Sequence, residues 1–328
     1  MNAPRHPYAD LTPDRVFDAL ESVGLVGDGR LQALGSYENR VYQIGIEDAA
    51  TVVAKFYRPG RWPDAAIAEE HAFVAELAAR EIPVVAPLAT NAATLHAFGG
   101  FRFAVYPRCG GRAPELDDRA TLEWMGRFLG RIHAVGATAP FLHRPSLDVA
   151  AFGTAPRDWL LAHGFIPADL LAAWRSIASL ALDGVARSFD RAGDVATLRL
   201  HGDCHAGNVL WRDDGPHFVD FDDARSGPAV QDLWMLLSGD RAAMSLQLAA
   251  VLDGYEDFAE LDPRELHLVE ALRTLRLLHY SAWLAQRWDD PAFPAAFPWF
   301  NTQRYWQDRI LELREQVALM DEAPLGSS

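Results

Sequence analysis

The sequence predicts an α+β chain of two lobes, a small one built on an antiparallel sheet with a helix and a large one that is mainly helical. Three observations predict it. The chain has 328 residues, half of them hydrophobic, enough for two modest cores. Short apolar runs bounded by turn residues fill the stretch 31–106, the pattern of strands. Beyond Gly111 such runs nearly vanish, and apolar residues recur every three or four positions instead.

In chain order, residues 1–30 read as a lead-in and one amphipathic helix. Thr12 caps it, Pro13 occupies the first turn, and Val16, Phe17, Leu20 and Val23 share a face. Gly27-Asp28-Gly29 is expected to close it. Residues 31–35, 41–46 and 51–57 then read as a three-stranded meander. The turn 35–40, Gly-Ser-Tyr-Glu-Asn-Arg, offers small and polar residues. Its backbone N–H groups and the Ser36 hydroxyl suit a phosphate, and they equally suit a solvated hairpin.

Lys55 is the most informative single residue. The 30 basic residues of the chain include one lysine, and it sits on the apolar strand VVAKFY. A compact ammonium reaches phosphate oxygens inside a pocket where the planar fork of arginine fits poorly. The next helix, 65–80, carries Ile67, Glu70, Phe73, Val74 and Leu77 on its buried stripe. A charge on that stripe needs a partner, and Lys55 is the candidate; the neighbouring Glu69 takes the role if the helix is rotated. Residues 82–88, 94–97 and 101–106 read as two or three further strands, completing a five-stranded sheet with one helix. Tyr106-Pro107-Arg108-Cys109-Gly110-Gly111 then reads as a linker.

The large lobe opens on a helix over 118–135, with Leu122, Met125, Leu129 and Ile132 in register and His133 as a packed structural histidine. Residues 140–157 are irregular, and 158–191, 230–237 and 241–316 are helical. The aromatics Phe293, Phe297, Trp299, Phe300, Tyr305 and Trp306 read as core packing that caps the lobe, with a substrate-facing cluster as the alternative. A formal charge of −15 argues against nucleic acid as a partner. Two cysteines are too few for a disulfide framework. No run approaches the roughly 20 apolar residues of a membrane span. A cytoplasmic monomer without membrane attachment is expected.

The stretch around which the chain is organised is 198–223, LRLHGDCHAGNVLWRDDGPHFVDFDD. Two apolar runs joined by the turn 213–216 form a hairpin that brings Asn208, at its entrance, to Asp220, at its exit. Asp203 precedes that mouth. One carboxylate able to take a proton, with an amide and a second carboxylate able to share a hard cation, is the inventory of phosphoryl transfer. A rival reading takes His201, Asp203 and His205 as ligands of a metal-dependent hydrolase, but it leaves the lysine without a task.

HGDCHAGN followed by FVDFDD resembles the H-G-D-x-H-x-x-N and I-D-F-D signatures of the aminoglycoside phosphotransferase and choline kinase group, and LGRIHAVG is similar to that group's L-x-x-L-H helix. The resemblance implies a bilobal protein-kinase-like fold with an N-lobe over 1–105, a hinge over 106–112 and a C-lobe over 113–328 that carries the catalytic loop and metal site. It implies ATP as co-substrate and Mg²⁺ as cofactor. Asp203 would be the catalytic base, and Asn208 and Asp220 the metal ligands, Asp220 thereby catalytic too. Lys55, paired to Glu70, would hold the α and β phosphates. Ser36 would lie over the phosphates, and the hinge with Tyr106 and Arg108 would meet the adenine. Asp232 would anchor the backbone of the catalytic loop, with Asp222 behind the metal and Asp223 paired to Arg225. The longer string through 237 is similar to the serine/threonine protein kinases of this group, which implies a protein hydroxyl as acceptor. Choline-, homoserine- or aminoglycoside-like acceptors, and a kinase-like module without catalysis, stay open.

Overall fold

A computed structural model describes residues 6–326. The first part of the chain carries α1 (Pro13–Glu21), β1 (Gly27–Ala33), β2 (Arg40–Ile46), β3 (Val52–Phe56), α2 (Asp64–Ala79), β4 (His96–Phe98) and β5 (Phe101–Pro107). There follow α3 (Arg119–Gly136), α4 (Ala155–Ala162), α5 (Leu171–Ala192), β6 (Leu198–Leu200), β7 (Val209–Arg212), β8 (Gly215–Phe218) and β9 (Arg225–Gly227). The rest is helical: α6 (Val230–Trp234), α7 (Arg241–Tyr255), α8 (Val269–Gln286), α9 (Ala292–Ala296) and α10 (Gln303–Leu319). The expected α+β class is the one observed.

The chain divides into two compact units. The first comprises residues up to 114 with 142–144 and 207–222; the second comprises 115–141, 145–206 and 223 onward. The linker stretch 106–112 and the segment carrying Asn208 and Asp220 therefore both lie in the first unit, and Asp203 lies in the second.

In the first unit the sheet has the order β1-β2-β3-β5-β4, antiparallel throughout. Alternation along β3 sorts its side chains: Val52, Ala54 and Phe56 join the core beneath α1, with Val16, Ala19, Leu20 and Phe103. Lys55 is of opposite parity, and its neighbour of like parity, Tyr57, packs with Ile67 of α2 and Ala104 of β5. The Thr12 side chain accepts from the Arg15 N–H and Pro13 occupies the first turn, as the sequence predicts. Gly27 does not close this helix. α1 ends at Glu21 with Ser22 as cap, the chain turns at Gly24 (φ 85°), and Gly27 already pairs with Ile46 as the start of β1.

The predicted strand over 82–88 is also absent. Pro83 and Pro87 have no N–H to give a ladder, and the segment makes separate contacts instead. Val85 N–H donates to the Phe218 carbonyl at 3.1 Å, and Leu88 N–H to that of Val105 at 2.7 Å. The β7–β8 hairpin joins this unit there and at Arg112, which exchanges two backbone hydrogen bonds with Trp211.

In the second unit α3 and α7 cross so closely that a Cβ on Gly126 would collide with the Val251 carbonyl, and one on Gly254 with that of Glu123. Trp174 of α5 and Trp306 of α10 meet edge to face at 6.1 Å, with Leu272, Leu275 and Leu278 of α8 buried. Phe293, Phe300, Tyr305 and Trp306 are core, whereas Trp299 is exposed. Among the described residues no helix is long and apolar enough to cross a membrane.

Candidate active site

In the first unit the charged groups converge on Lys55. Its Nζ lies 3.0 Å from Asp220 Oδ1, 3.2 Å from Asp222 Oδ1 and 4.0 Å from Glu70 Oε1, with only 7% of its side chain exposed. Burial alone would lower the ammonium pKa, but the three carboxylates outweigh it and hold the group charged well above its usual range. Glu70 is the most buried of the three carboxylates and lies farthest from the ammonium. Burial raises its carboxyl from 4.5 to about 7, with Lys55 opposing and Asp222 adding to the rise.

Between pH 4.5 and about 7 the folded chain binds a proton at Glu70 that the unfolded chain has lost, so this group's contribution falls as pH rises through that window, by roughly 1 kcal/mol per pH unit. Glu70→Gln is expected to flatten the urea midpoint between pH 5 and 7 by that slope. An unchanged profile would show that Glu70 stays ionised throughout.

Helix α2 sets the two glutamates apart. Glu70 faces Lys55, while Glu69 accepts the backbone N–H groups of Leu142, His143 and Arg144 at 2.6, 2.8 and 2.8 Å. Partial burial would raise the Glu69 carboxyl, and these three donors bring it below its usual value. The segment so held delivers Arg144, whose guanidinium lies 4.2 Å over the Trp62 ring, 3.8 Å from Glu70, and donates to the Asp222 carbonyl. Asp222 also receives Asn39 Nδ2 at 3.0 Å and pairs with Arg61. It therefore ties the β1–β2 loop, through Asn39, to the lysine.

Asp220 is different in kind. Its backbone is left-handed at φ 61°, a conformation sparsely used by residues other than glycine and often retained at functional positions. Half of its side chain, 51%, is exposed although Lys55 takes Oδ1. The Val219 N–H donates to the Asn208 carbonyl at 3.0 Å, closing the hairpin mouth beside Asp220. An exposed carboxylate and a side-chain amide at one hairpin end form an oxygen donor set that fits Mg²⁺ when nucleotide phosphates supply further oxygens.

Of the other predicted nucleotide contacts, Tyr106 lies beside the cluster, its hydroxyl 3.1 Å from that of Tyr57, over whose ring Lys55 Nζ sits at 5.1 Å. Ser36 is not brought to Lys55: its hydroxyl donates to the Asn39 carbonyl at 3.2 Å. Arg108 reaches back to Gln43 on β2 at 3.1 Å.

In the second unit the backbone around Asp203 is fixed from below. Asp232 accepts the N–H groups of His201 and Gly202, both at 2.9 Å, and is itself held by His133 Nε2 at 3.1 Å, whose other nitrogen meets the Tyr255 hydroxyl at 2.9 Å. Gly202 has φ 84°, and a Cβ there would strike the Asp223 carbonyl. Asp203 then projects Oδ1 to Arg276 Nη1 at 2.5 Å and Oδ2 toward His205 Nε2 at 3.5 Å. Burial would raise its carboxyl, but the His205 hydrogen bond and the Arg276 charge outweigh it and hold the group ionised far below the usual carboxylate range. His201 is fully buried, and Asp223 pairs with Arg225 at 2.6 Å.

Sequence reasoning missed Arg276, Arg61, Arg144 and Asn39. The one local signal for Arg276 was a charge inside the apolar run 275–278, LRLL.

A profile described as the phosphotransferase enzyme family matches residues 30–268. The chain is 46% identical over 325 residues to "Serine/threonine protein kinase RdoA" of Salmonella typhimurium, covering 99% of this chain and 98% of that one. It has the same identity and coverage with "Stress response kinase A" of Escherichia coli strain K12. Among solved structures it is similar to an amicoumacin kinase in complex with AMP-PNP and Ca²⁺, with TM-score 0.73, 17% identity and 96% and 95% of the two chains covered. It is similar also to a microcompartment-associated aminopropanol kinase, with TM-score 0.71, 18% identity and 93% and 95% coverage. With a buried lysine ringed by carboxylates in one unit and an arginine-held aspartate in the other, and with these relatives, the chain belongs to the phosphotransferase enzyme family and is an enzyme of the kinase type.

Proposed function

We propose that the protein transfers the γ-phosphate of ATP to a serine or threonine hydroxyl of a protein, in a Mg²⁺-dependent reaction. The observation that carries this reading is the sole lysine, buried on β3 and bracketed by Asp220, Asp222 and Glu70. Its serine/threonine part is supported by the relatives named as such over nearly the full chain.

Lys55 exchanges a carboxylate for the α and β phosphates, and Glu70 keeps it in place. Asn208 and Asp220 would hold Mg²⁺, which would supply neutralisation of phosphate charge. Asn39, held by Asp222, sets the β1–β2 loop over the nucleotide, and the stretch with Tyr106 and Arg108 meets the base. Asp203 accepts a hydrogen bond from the acceptor hydroxyl. As the acceptor oxygen bonds to the γ-phosphorus, the bond to the β,γ-bridging oxygen breaks, ADP leaves and the proton passes to Asp203. So acidic a carboxyl is a weak base, which suffices when the transition state is loose and the proton departs late.

The test is transfer from labelled ATP with Mg²⁺ to the protein itself, to a generic protein acceptor and to a panel of amino alcohols. Phosphoserine or phosphothreonine is the expected product. Transfer to an amino alcohol alone would replace the acceptor, and turnover without nucleotide would replace the reaction. Lys55→Arg is expected to lose about 100-fold or more in kcat, because a planar fork replaces a point charge aimed at phosphate. Undiminished transfer by that variant would remove the lysine from the mechanism.

A further inference from the structure

Arg276 contacts Asp203 across 73 residues of chain, and no feature of the Asp203 motif calls for it. It rises from α8, beside the buried Leu275 and Leu278 that fix that helix in the core. Its side chain is 40% exposed and that of Asp203 is 25% exposed. A molecule that brings a hydroxyl to Asp203 therefore meets a guanidinium at the same place. Along α8 the half-buried residues Arg273, Arg276, Tyr280 and Trp283 follow at intervals of three and four, one stripe of the helix. Tyr280 and Trp283 stack at 5.6 Å and 16°, so two arginines give way to an aromatic pair along it.

A bare carboxylate base attracts an acceptor that carries an ammonium. An arginine bound to that carboxylate is charged at every working pH; it cancels the attraction and repels a second cation. We propose that Arg276 determines acceptor specificity, selecting hydroxyls whose neighbouring groups are anionic or uncharged and rejecting those beside a cation. The acceptor is then a serine or threonine flanked by acidic or neutral residues, and amino alcohols are disfavoured. The inference rests on Asp203 as the base. The acceptor hydroxyl donates its proton to Asp203 while Arg276 stays on the carboxylate and faces the groups beside that hydroxyl.

The test compares kcat/KM of the full-length protein, Arg276→Ala and Arg276→Lys on two serine peptides of equal length, one flanked by Glu and one by Lys, with choline and an uncharged alcohol as further acceptors. The wild type is expected to favour the Glu-flanked peptide by about tenfold or more, since unlike and like charges are compared at short range. Arg276→Ala should bring the two peptides within about twofold of each other or reverse their order, since the attraction for Glu and the repulsion of Lys are both lost and the Asp203 carboxylate is uncovered, and Arg276→Lys should keep the preference. Thermal unfolding confirms that each variant is folded. Wild-type preference for the Lys-flanked peptide or for choline overturns the inference, as does an equal effect of Arg276→Ala on both peptides or no transfer to any acidic or uncharged acceptor. Asp203→Ala separates the two ideas: if it keeps transfer, the base assignment fails. If it abolishes transfer while Arg276→Ala leaves the peptide ratio unchanged, only the role of Arg276 fails.

Discussion

Asp203→Ala is expected to lower phosphate transfer by about 10²- to 10⁴-fold, the usual worth of a positioned general base, while nucleotide affinity stays at its wild-type value. The separation follows from the partners of the carboxylate. Arg276 and His205 hold it in the second unit, and the cluster around Lys55 is built from other residues. Both partners are about 40% exposed, so water replaces the lost carboxylate and the fold is expected to survive. Labelled-ATP transfer read alongside nucleotide calorimetry checks both halves. Undiminished transfer would remove the base, and lost nucleotide binding would move Asp203 to the nucleotide side.

Asp220→Ala is expected to weaken binding of the Mg–nucleotide complex by at least about tenfold, the loss typical when support of a metal site is removed, and to abolish transfer. Lys55 retains Asp222 at 3.2 Å and Glu70 at 4.0 Å, so the cluster remains paired. The thermal shift given by ATP should then lose its dependence on Mg²⁺. An Asp220→Ala protein that keeps a Mg²⁺-dependent shift would place the metal elsewhere. Asp220→Asn keeps one oxygen and a residue tolerant of left-handed backbone, and should fall between.

Much of this arrangement was written in short stretches of sequence. The alternation that puts Lys55 on the α2 face of β3, the stripe that buries Glu70, the Thr12 cap and the hairpin between Asn208 and Asp220 are each decided within about one turn or one strand pair. Residues 82–88 misled because an apolar run signals a strand only if its N–H groups are present, and two prolines had removed theirs. What stayed invisible were pairs made across the chain. Arg61 meets Asp222 over 161 residues and Arg276 meets Asp203 over 73, and no local period marks which of many arginines will do so. Glu69 and Glu70 show the boundary between the two cases. Helical register points one inward, but only the folded path of residues 142–144 explains why the other is a carboxylate as well.

That path has a bearing on control. An idle state reached by swinging α2 outward would have to break three bonds from peptide N–H groups to Glu69 and strand Arg144 away from Glu70 and Asp222. The helix is thus latched on both sides, by Lys55 through Glu70 and by residues 142–144 through Glu69.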